Sequence, residues 1–129
     1  MPAVPMIPSP VTDIKAFVPA KDFERSKQFY TELGFTVNWS GPDIAELQAG
    51  SFRFLLQLFY VEAHAGNFMM SLQVEDLDAW WAFIERQEIA RKYPGIMCRP
   101  PAMQPWGIRV LYLSDPTGVL WHITDGRRS

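Results

Sequence analysis

An internal repeat constrains the fold of this chain more than any other feature of its sequence. When the chain is shifted by 54 residues, its pattern of apolar and helix-capping residues recurs. The matching pairs are Val18 with Leu72, Asp22 with Asp76, Phe23 with Leu77, Phe29 with Phe83 and Tyr30 with Ile84. Solenoid repeats have periods of about 20 to 50 residues. The longer period and the total of 129 residues therefore indicate one domain built from two copies of a structural unit.

The first copy has the pattern of a βαβββ unit. Residues 14–18 alternate between apolar and mixed side chains, which predicts a strand. Asp22 can cap a following helix, and Gly34 can end it. Three further strands are predicted, separated by short turns, at residues 35–40, 44–49 and 52–59.

The second copy repeats this order. Residues 68–74 predict a strand and Asp76 can cap a second helix, after which residues 90–98 are the predicted next strand. The last two strands flank Asp115-Pro116-Thr117-Gly118. We therefore predict an α+β fold, in which two tandem βαβββ modules form a cupped mixed sheet with helices on its outer face.

The modules define the predicted domain organisation. Pro2, Pro5, Pro8 and Pro10 exclude a helix at the start of the chain and favour an extended N-terminal arm over residues 1–12, either loose or bound to a neighbour. A single domain is predicted over residues 13–124, with modules at 13–60 and 67–124, followed by a tail at 125–129.

The final hairpin has two chemically different faces. Asp115, Pro116 and Gly118 suit the first, second and last positions of a type I turn. If Ser114 pairs with Val119, one face is a predicted core face, carrying Ile108, Val110, Tyr112, Val119, Trp121 and Ile123. The other face mixes Arg and His with apolar residues, as a cavity wall does; it carries Arg109, Leu111, Leu113, Leu120, His122 and Thr124.

The same alternation in the other strands predicts one shared cavity face. Its proposed members are Lys15, Phe17, Glu46, Gln48, Arg53, Leu55, Gln57, Phe59, Asn67, Met69, Ser71, Gln73, Arg109, Leu111 and His122. Such a face meets either bulk water or a ligand pocket. The apolar residues among its members favour the pocket, because they are costly to expose.

Composition excludes several classes of partner. The net charge of -2 and the lack of a run of Lys or Arg argue against nucleic acid and anionic membranes. No apolar stretch reaches the roughly 18 residues of a membrane helix, and a secretory signal is not expected. Cys98 is the only cysteine, so no disulfide framework is possible. These features predict a cytoplasmic protein.

Three motifs carry a family resemblance beyond this pattern. They are residues 22–35 (DFERSKQFYTELGF), residues 74–80 (VEDLDAW) and the Asp115-Pro116-Thr117-Gly118 turn. Together with the duplicated βαβββ order, they resemble the glyoxalase, bleomycin-resistance protein and extradiol dioxygenase superfamily over residues 13–124. The segment Pro105-Trp106-Gly107-Ile108-Arg109 is most similar to the metal-free bleomycin-resistance branch.

The resemblance implies where a metal would be held in enzymes of this superfamily. Their four ligand positions correspond here to Lys15, Gln57, Met69 and His122. Divalent cations prefer histidine and carboxylate donors, and this set supplies one good ligand. We therefore expect neither a metal ion nor another cofactor, and no catalytic residue is assigned. The usual Lewis-acid chemistry of the superfamily is not expected.

A binding role is what the resemblance then implies. Bleomycin-resistance proteins are metal-free dimers that sequester a flat, aromatic, cationic antibiotic in clefts made by both subunits. The candidate ligand-binding residues here are Trp39, Glu46, Gln57, Phe59, Met69, Trp106, Arg109 and His122. The rings, together with Tyr112, are candidate stacking surfaces; Glu46 can pair with a ligand cation, and Arg109 or Lys15 with an anion.

Two other functional classes stay open from the sequence. One is an enzyme, either a metal-dependent glyoxalase-like or dioxygenase-like enzyme with an unusual site or a metal-free isomerase using Lys15 and His122. The other is a carrier or scaffold protein in a biosynthetic cluster. The fold does not decide between them, because its members catalyse unrelated reactions. The expected partners are a small molecule and a second copy of the chain.

Overall fold

The computed structural model describes the backbone of residues 6–128 and the side chains of residues 6–126. Residues 1–5 of the predicted arm lie outside the described part of the chain. Residues 6–12 are neither helical nor in a strand, and their side chains are exposed. None of the described helices has the length and apolar character needed to cross a membrane.

Two tandem βαβββ modules are present, and the predicted α+β class is confirmed. The first module contains β1 (Phe17–Ala20), α1 (Phe23–Glu32), β2 (Thr36–Ser40), β3 (Ile44–Ala49) and β4 (Phe52–Leu58). After α2 (Glu62–Ala65), the second contains β5 (Met69–Gln73), α3 (Leu77–Arg86), α4 (Ile89–Lys92), β6 (Cys98–Met103), β7 (Ile108–Ser114) and β8 (Leu120–Arg128).

The two long helices show how closely the modules repeat. Both α1 and α3 begin after an aspartate whose side chain caps the helix: Asp22 accepts from the Arg25 amide and Asp76 from the Ala79 amide. Both ends of α3 lie 54 residues after the corresponding ends of α1. The helix boundaries are therefore set by the repeated capping residues.

Each module forms its own four-stranded mixed sheet. Sheet A has the strand order β1-β4-β3-β2, and sheet B has the equivalent order β5-β8-β7-β6. The pairs β1 with β4 and β5 with β8 are parallel, and the remaining pairs are antiparallel. We call the face of each sheet that packs on the core its inner face, and the other its open face.

One hydrophobic core joins the inner faces of both sheets. The Trp121 ring of sheet B lies 5.5 Å from the Phe54 ring of sheet A, measured between centroids. The buried Tyr30 hydroxyl donates to Asp115 Oδ2 at 2.6 Å and accepts from Trp121 Nε1 at 2.9 Å. Because both inner faces meet this core, the open faces lie on its far sides.

The final hairpin has the predicted turn but not the predicted register. The Gly118 amide donates to the Asp115 carbonyl, as a type I turn requires, and Gly118 has a φ of 108°. Asp115 itself pairs with Val119, so Gly118 is an extra residue and Ser114 pairs with Leu120.

This shift of one residue inverts the predicted faces of β7. Leu111 and Leu113 lie fully buried in the core beside Trp121, so their predicted place on the cavity face was wrong. Tyr112 pairs with His122 and lies on the open face with it. The predicted faces of β8 are correct, because its residues all follow the extra residue Gly118 and keep their own alternation.

The predicted strand at residues 90–98 was also wrong. Ile89–Lys92 is the short helix α4, and the strand β6 starts at Cys98. This strand contains Pro100 and Pro101, which cannot donate to a neighbouring strand. They are accommodated because β6 is the edge strand of sheet B and its register shifts between Arg99 and Ala102. At the other end of the module, β8 continues past residue 124 to Arg128.

Candidate functional site

The open face of sheet A carries a line of four directly paired residues across its strands. Phe17 pairs with Leu55, Leu55 with Glu46 and Glu46 with Trp39. We call this set the aromatic row. Neighbouring strands are about 4.8 Å apart, so its two aromatic ends are separated by about 14 Å. Phe17 is 54% exposed and Trp39 47% exposed, which leaves both rings available for contact.

A network of ion pairs and hydrogen bonds fills the middle of this face. Lys15 Nζ lies 2.6 Å from Glu46 Oε1, and Asn38 Nδ2 donates to Glu46 Oε2 at 2.9 Å. Arg53 Nε lies 2.7 Å from Asp13 Oδ2. The hydrogen bond from Lys15 is the main cause that holds the pKa of the Glu46 carboxyl below its ordinary value. Both carboxylates of the network therefore already have cationic partners within the chain.

The residues at the family's metal-ligand positions are divided between the two sheets. Lys15 and Gln57 lie on or beside sheet A, whereas Met69 and His122 lie on the open face of sheet B. Lys15 occupies its position with an ammonium group that is paired with Glu46, and the set has one histidine as its only favourable donor. Within the described part of the chain, no group of three His, Cys, Asp or Glu residues is placed to hold a metal ion.

The open face of sheet B carries a second line of four paired residues, which differs in chemistry. Ser71 pairs with His122, His122 with Tyr112 and Tyr112 with Arg99. We call this set the donor row. The Tyr112 and His122 rings meet edge to face, with centroids 4.9 Å apart. His122 Nε2 is buried and has no hydrogen-bond partner among the described residues.

The sequence prediction found only part of the donor row. Ser71 and His122 were on the predicted cavity face. Tyr112 was assigned to the core face because of the hairpin register, although its ring was also a candidate stacking surface. Arg99 was missed, since the strand that contains it begins where the predicted strand ended. The signal that was available is the pair of Pro residues at 100 and 101, which marks an edge strand rather than a loop.

The remaining predicted ligand-binding residues lie around these rows. Gln57 lies two residues beyond Leu55 on the open face of sheet A, and Phe59 follows β4 and is half exposed. Met69 lies two residues before Ser71 on the open face of sheet B and is 62% exposed. Trp106 is half exposed in the turn between β6 and β7. These placements leave all four side chains accessible to a ligand.

Arg109 is the predicted site residue that the structure separates from the others. Its guanidinium donates to both carboxylate oxygens of Asp78, at 3.1 and 3.2 Å, and lies 3.7 Å from Asp125 Oδ2. The described carboxylates beside Arg109 are therefore those of Asp78 and Asp125. The hydrogen bond from Arg109 is the main cause that lowers the pKa of the Asp78 carboxyl. Arg109 thus anchors the start of α3 to β7 rather than facing either row.

An apolar groove lies between the modules and reaches the donor row at Ser71. Its volume is about 270 Å³, and its apolar lining includes Phe52, Phe54, Met70, Leu72 and Trp121. Phe52 is 80% exposed. None of the eight predicted ligand-binding residues lines this groove.

Comparisons with known proteins identify relatives of the whole domain. The family model of the Glyoxalase/Bleomycin resistance protein/Dioxygenase superfamily matches residues 13–123. A bleomycin resistance protein from Klebsiella pneumoniae is 30% identical over 112 residues, which cover 80% of this chain and 83% of that protein.

Solved structures share the fold over nearly the full chain. A bleomycin-binding protein in complex with bleomycin has a TM-score of 0.78 and 22% identity, covering 91% of this chain and 100% of that one. A bleomycin-binding protein from bleomycin-producing Streptomyces verticillus, in complex with copper(II)-bleomycin, has a TM-score of 0.69 and 27% identity. The match covers 91% of this chain and 99% of that protein.

Proposed function

Because the chain belongs to the Glyoxalase/Bleomycin resistance protein/Dioxygenase superfamily, we propose that it binds a small planar natural product without a metal ion. The role is sequestration of an antibiotic, of the kind named in its bleomycin-resistance relatives. The observation that carries this proposal is the aromatic row, in which two exposed rings flank a floor formed by Leu55 and Glu46. Exposed rings bind planar ligands by stacking.

Metal independence is supported by the charge at Lys15. The ammonium group is fixed by its 2.6 Å ion pair with Glu46, at a position where the enzymes of the family hold a metal ligand. A cation at that place opposes the binding of a second cation nearby. The binding energy therefore comes from ring stacking and hydrogen bonding, to which the rows contribute.

We also propose that a second copy of the chain completes the ligand site. The open faces of sheets A and B lie on far sides of the core, so one chain alone does not bring its two rows together. Both faces expose large apolar side chains, including Phe17, Trp39 and Met69, and such surfaces mark interaction sites. When sheet A of one copy faces sheet B of the other, both rows line one cleft.

The N-terminal arm has a role in this assembly. Met6 is 87% exposed, and Ile7 and Val11 are each 65% exposed, although their side chains are apolar. Contact with the second copy would bury them. We expect that deleting residues 1–12 weakens self-association, measured as a higher dimer dissociation constant in sedimentation equilibrium. An unchanged constant would remove the arm from the interface while leaving the proposed ligand site intact.

Titration of chelator-treated protein with bleomycin and other planar antibiotics tests the binding function. We expect saturable quenching of tryptophan fluorescence and a rise in Tm with at least one compound, in the absence of metal. The same titrations are repeated with Zn²⁺, Ni²⁺, Mn²⁺ and Fe²⁺. Saturable stabilisation by a metal but by no compound would overturn the proposal and favour the glyoxalase-like or dioxygenase-like enzyme. No response to any of them would leave the carrier or scaffold class.

A further inference from the structure

The donor row contains a cation and no carboxylate. Arg99 is a permanent cation, and Ser71, Tyr112 and His122 each offer an O–H or N–H donor. The other described residues on this open face include Met69, Gln73, Ala102, Ile108, Val110, Ser114, Leu120 and Thr124, none of which is acidic. Among the described residues, the paired positions of this face therefore carry donors and positive charge without a carboxylate.

Two groups in the row lack the partners that they would normally have. Arg99 is exposed and has no ion-pair partner among residues 6–126. His122 Nε2 is buried without a hydrogen bond from any described residue. Because Nε2 of His122 is buried, Arg99 is the charged group of the row that a ligand can reach.

The opposite open face does not attract a cation. Its two carboxylates, Asp13 and Glu46, are each within ion-pair distance of a cation of the chain, namely Arg53 and Lys15. Glu46 is also nearly buried and accepts a second hydrogen bond from Asn38. A cationic ligand would have to break these pairs before it met a free carboxylate.

We propose that the natural ligand is a planar aromatic carboxylic acid, whose carboxylate is bound by Arg99 in the donor row. This inference rests on the proposed function and narrows the ligand from a planar natural product to one that carries a carboxylate. The aromatic rings of the ligand stack on Trp39 or Phe17 of the second copy. Tyr112, whose Cα is paired with that of Arg99 across the strands, donates a further hydrogen bond to the same ligand. Charge-assisted bonds of this type are about twice as strong as neutral ones.

Three ligands with the same anthracene rings test the proposal. They are anthracene-9-carboxylate, the neutral 9-anthracenemethanol and the cationic 9-(aminomethyl)anthracene, titrated calorimetrically at neutral pH into the full chain. We expect the carboxylate to bind about tenfold more tightly than the alcohol, which corresponds to one charge-assisted bond. The ammonium compound is expected to bind more weakly than the alcohol.

The variant Arg99→Met tests whether Arg99 binds the carboxylate of the ligand. It should lower the affinity for the carboxylate about tenfold and leave the affinity for the alcohol unchanged. Tyr112→Phe should give a smaller loss for the same ligand. Arg86→Met is the matched control, because Arg86 is an exposed arginine at the end of α3, away from both rows. It should bind all three compounds like the wild type.

The outcomes separate this inference from the proposed function. Equal binding of the three compounds, or preference for the ammonium, would overturn the acidic ligand but support a planar-ligand site. Loss of carboxylate binding in Arg86→Met to the same extent as in Arg99→Met would also overturn it, because the effect would then come from net charge alone. Failure of all three compounds to bind would count against both proposals.

Discussion

The two modules are nearly identical in the elements that form the core and different on their open faces. Asp22 and Asp76 cap equivalent helices, and the two sheets have equivalent strand orders. Their open faces, in contrast, carry the aromatic row in one module and the donor row in the other. Packing constrains the inner faces, because a change in volume there costs stability. The open faces are free of that constraint, and their exposed side chains differ in chemistry.

The difference in charge between the faces is equally instructive. On sheet A every carboxylate near the aromatic row has a cation beside it, whereas on sheet B a cation and several donors have no acid beside them. The first face is electrostatically complete. The second carries a cation without a paired carboxylate among the described residues, and this asymmetry is the basis of the proposed acidic ligand.

A substitution in the core that joins the two modules should have the largest effect on stability. Asp115→Ala removes the acceptor of the Tyr30 hydroxyl and of three amides in the hairpin turn, those of Thr117, Gly118 and Val119. We expect a loss of about 3 to 5 kcal/mol in the free energy of unfolding, measured by chemical denaturation.

Asp115→Asn is the matched control for that change. It keeps an oxygen for the turn amides and should cost only about 1 to 2 kcal/mol. Equal losses in the two variants would show that the negative charge, rather than the turn, is what stabilises the junction of the modules.

Removing a ring from the aromatic row should affect ligand binding and leave the fold intact. Trp39→Ala is expected to weaken binding of a planar ligand about fivefold, because one stacking contact is worth about 1 kcal/mol. Phe52→Ala is the control, since Phe52 is an exposed aromatic residue of the same sheet outside the row. If Phe52→Ala loses affinity and Trp39→Ala does not, the ligand site lies in the apolar groove instead.

The ion pair between Lys15 and Glu46 predicts how the stability of the fold depends on pH. Because Lys15 lowers the pKa of Glu46 below its ordinary value of 4.5, the folded state favours the ionised carboxyl. Its contribution to stability is therefore present above pH 4.5 and is lost as the pH falls through the lowered pKa. We expect the Tm difference between the wild type and Glu46→Gln to shrink on acidification. A difference that stays constant with pH would contradict the ion pair.

The smallest effect is expected at Arg109. Its partner Asp78 is largely exposed, and solvent-screened ion pairs contribute little to stability. Arg109→Met should change Tm only slightly and leave the affinity for planar ligands unchanged, in the same titrations used for Trp39→Ala. A clear loss of ligand affinity would show that Arg109 belongs to the ligand site and that α3 approaches the ligand.

Local chemistry explains why the helices and the module order were predictable. The start of a helix depends on a capping side chain that accepts a hydrogen bond from an amide three residues further along the chain. Asp22 and Asp76 accept such bonds, so the sequence itself marks where α1 and α3 begin. The turn at Asp115 was predictable for the same reason. In each case the residues that decide the structure are close together along the chain.

The composition of the site was less predictable because it depends on register. One left-handed glycine, Gly118, moves β7 by one position and exchanges its two faces, and no periodicity in β7 alone reveals this. The pairing of Glu46 with Lys15 joins residues 31 positions apart, on opposite sides of an intervening strand. Arg99 could be placed only once β6 was known to be an edge strand.

The hydrogen-bond chain from Trp121 through Tyr30 to Asp115 makes the two halves of the molecule unequal. The acid comes from the second half, and the hydroxyl that donates to it comes from the first. The residue that repeats Tyr30 in the second half is Ile84, which has no hydroxyl to donate. Two copies of the second half therefore could not form this bond with each other, and the two halves cannot exchange places.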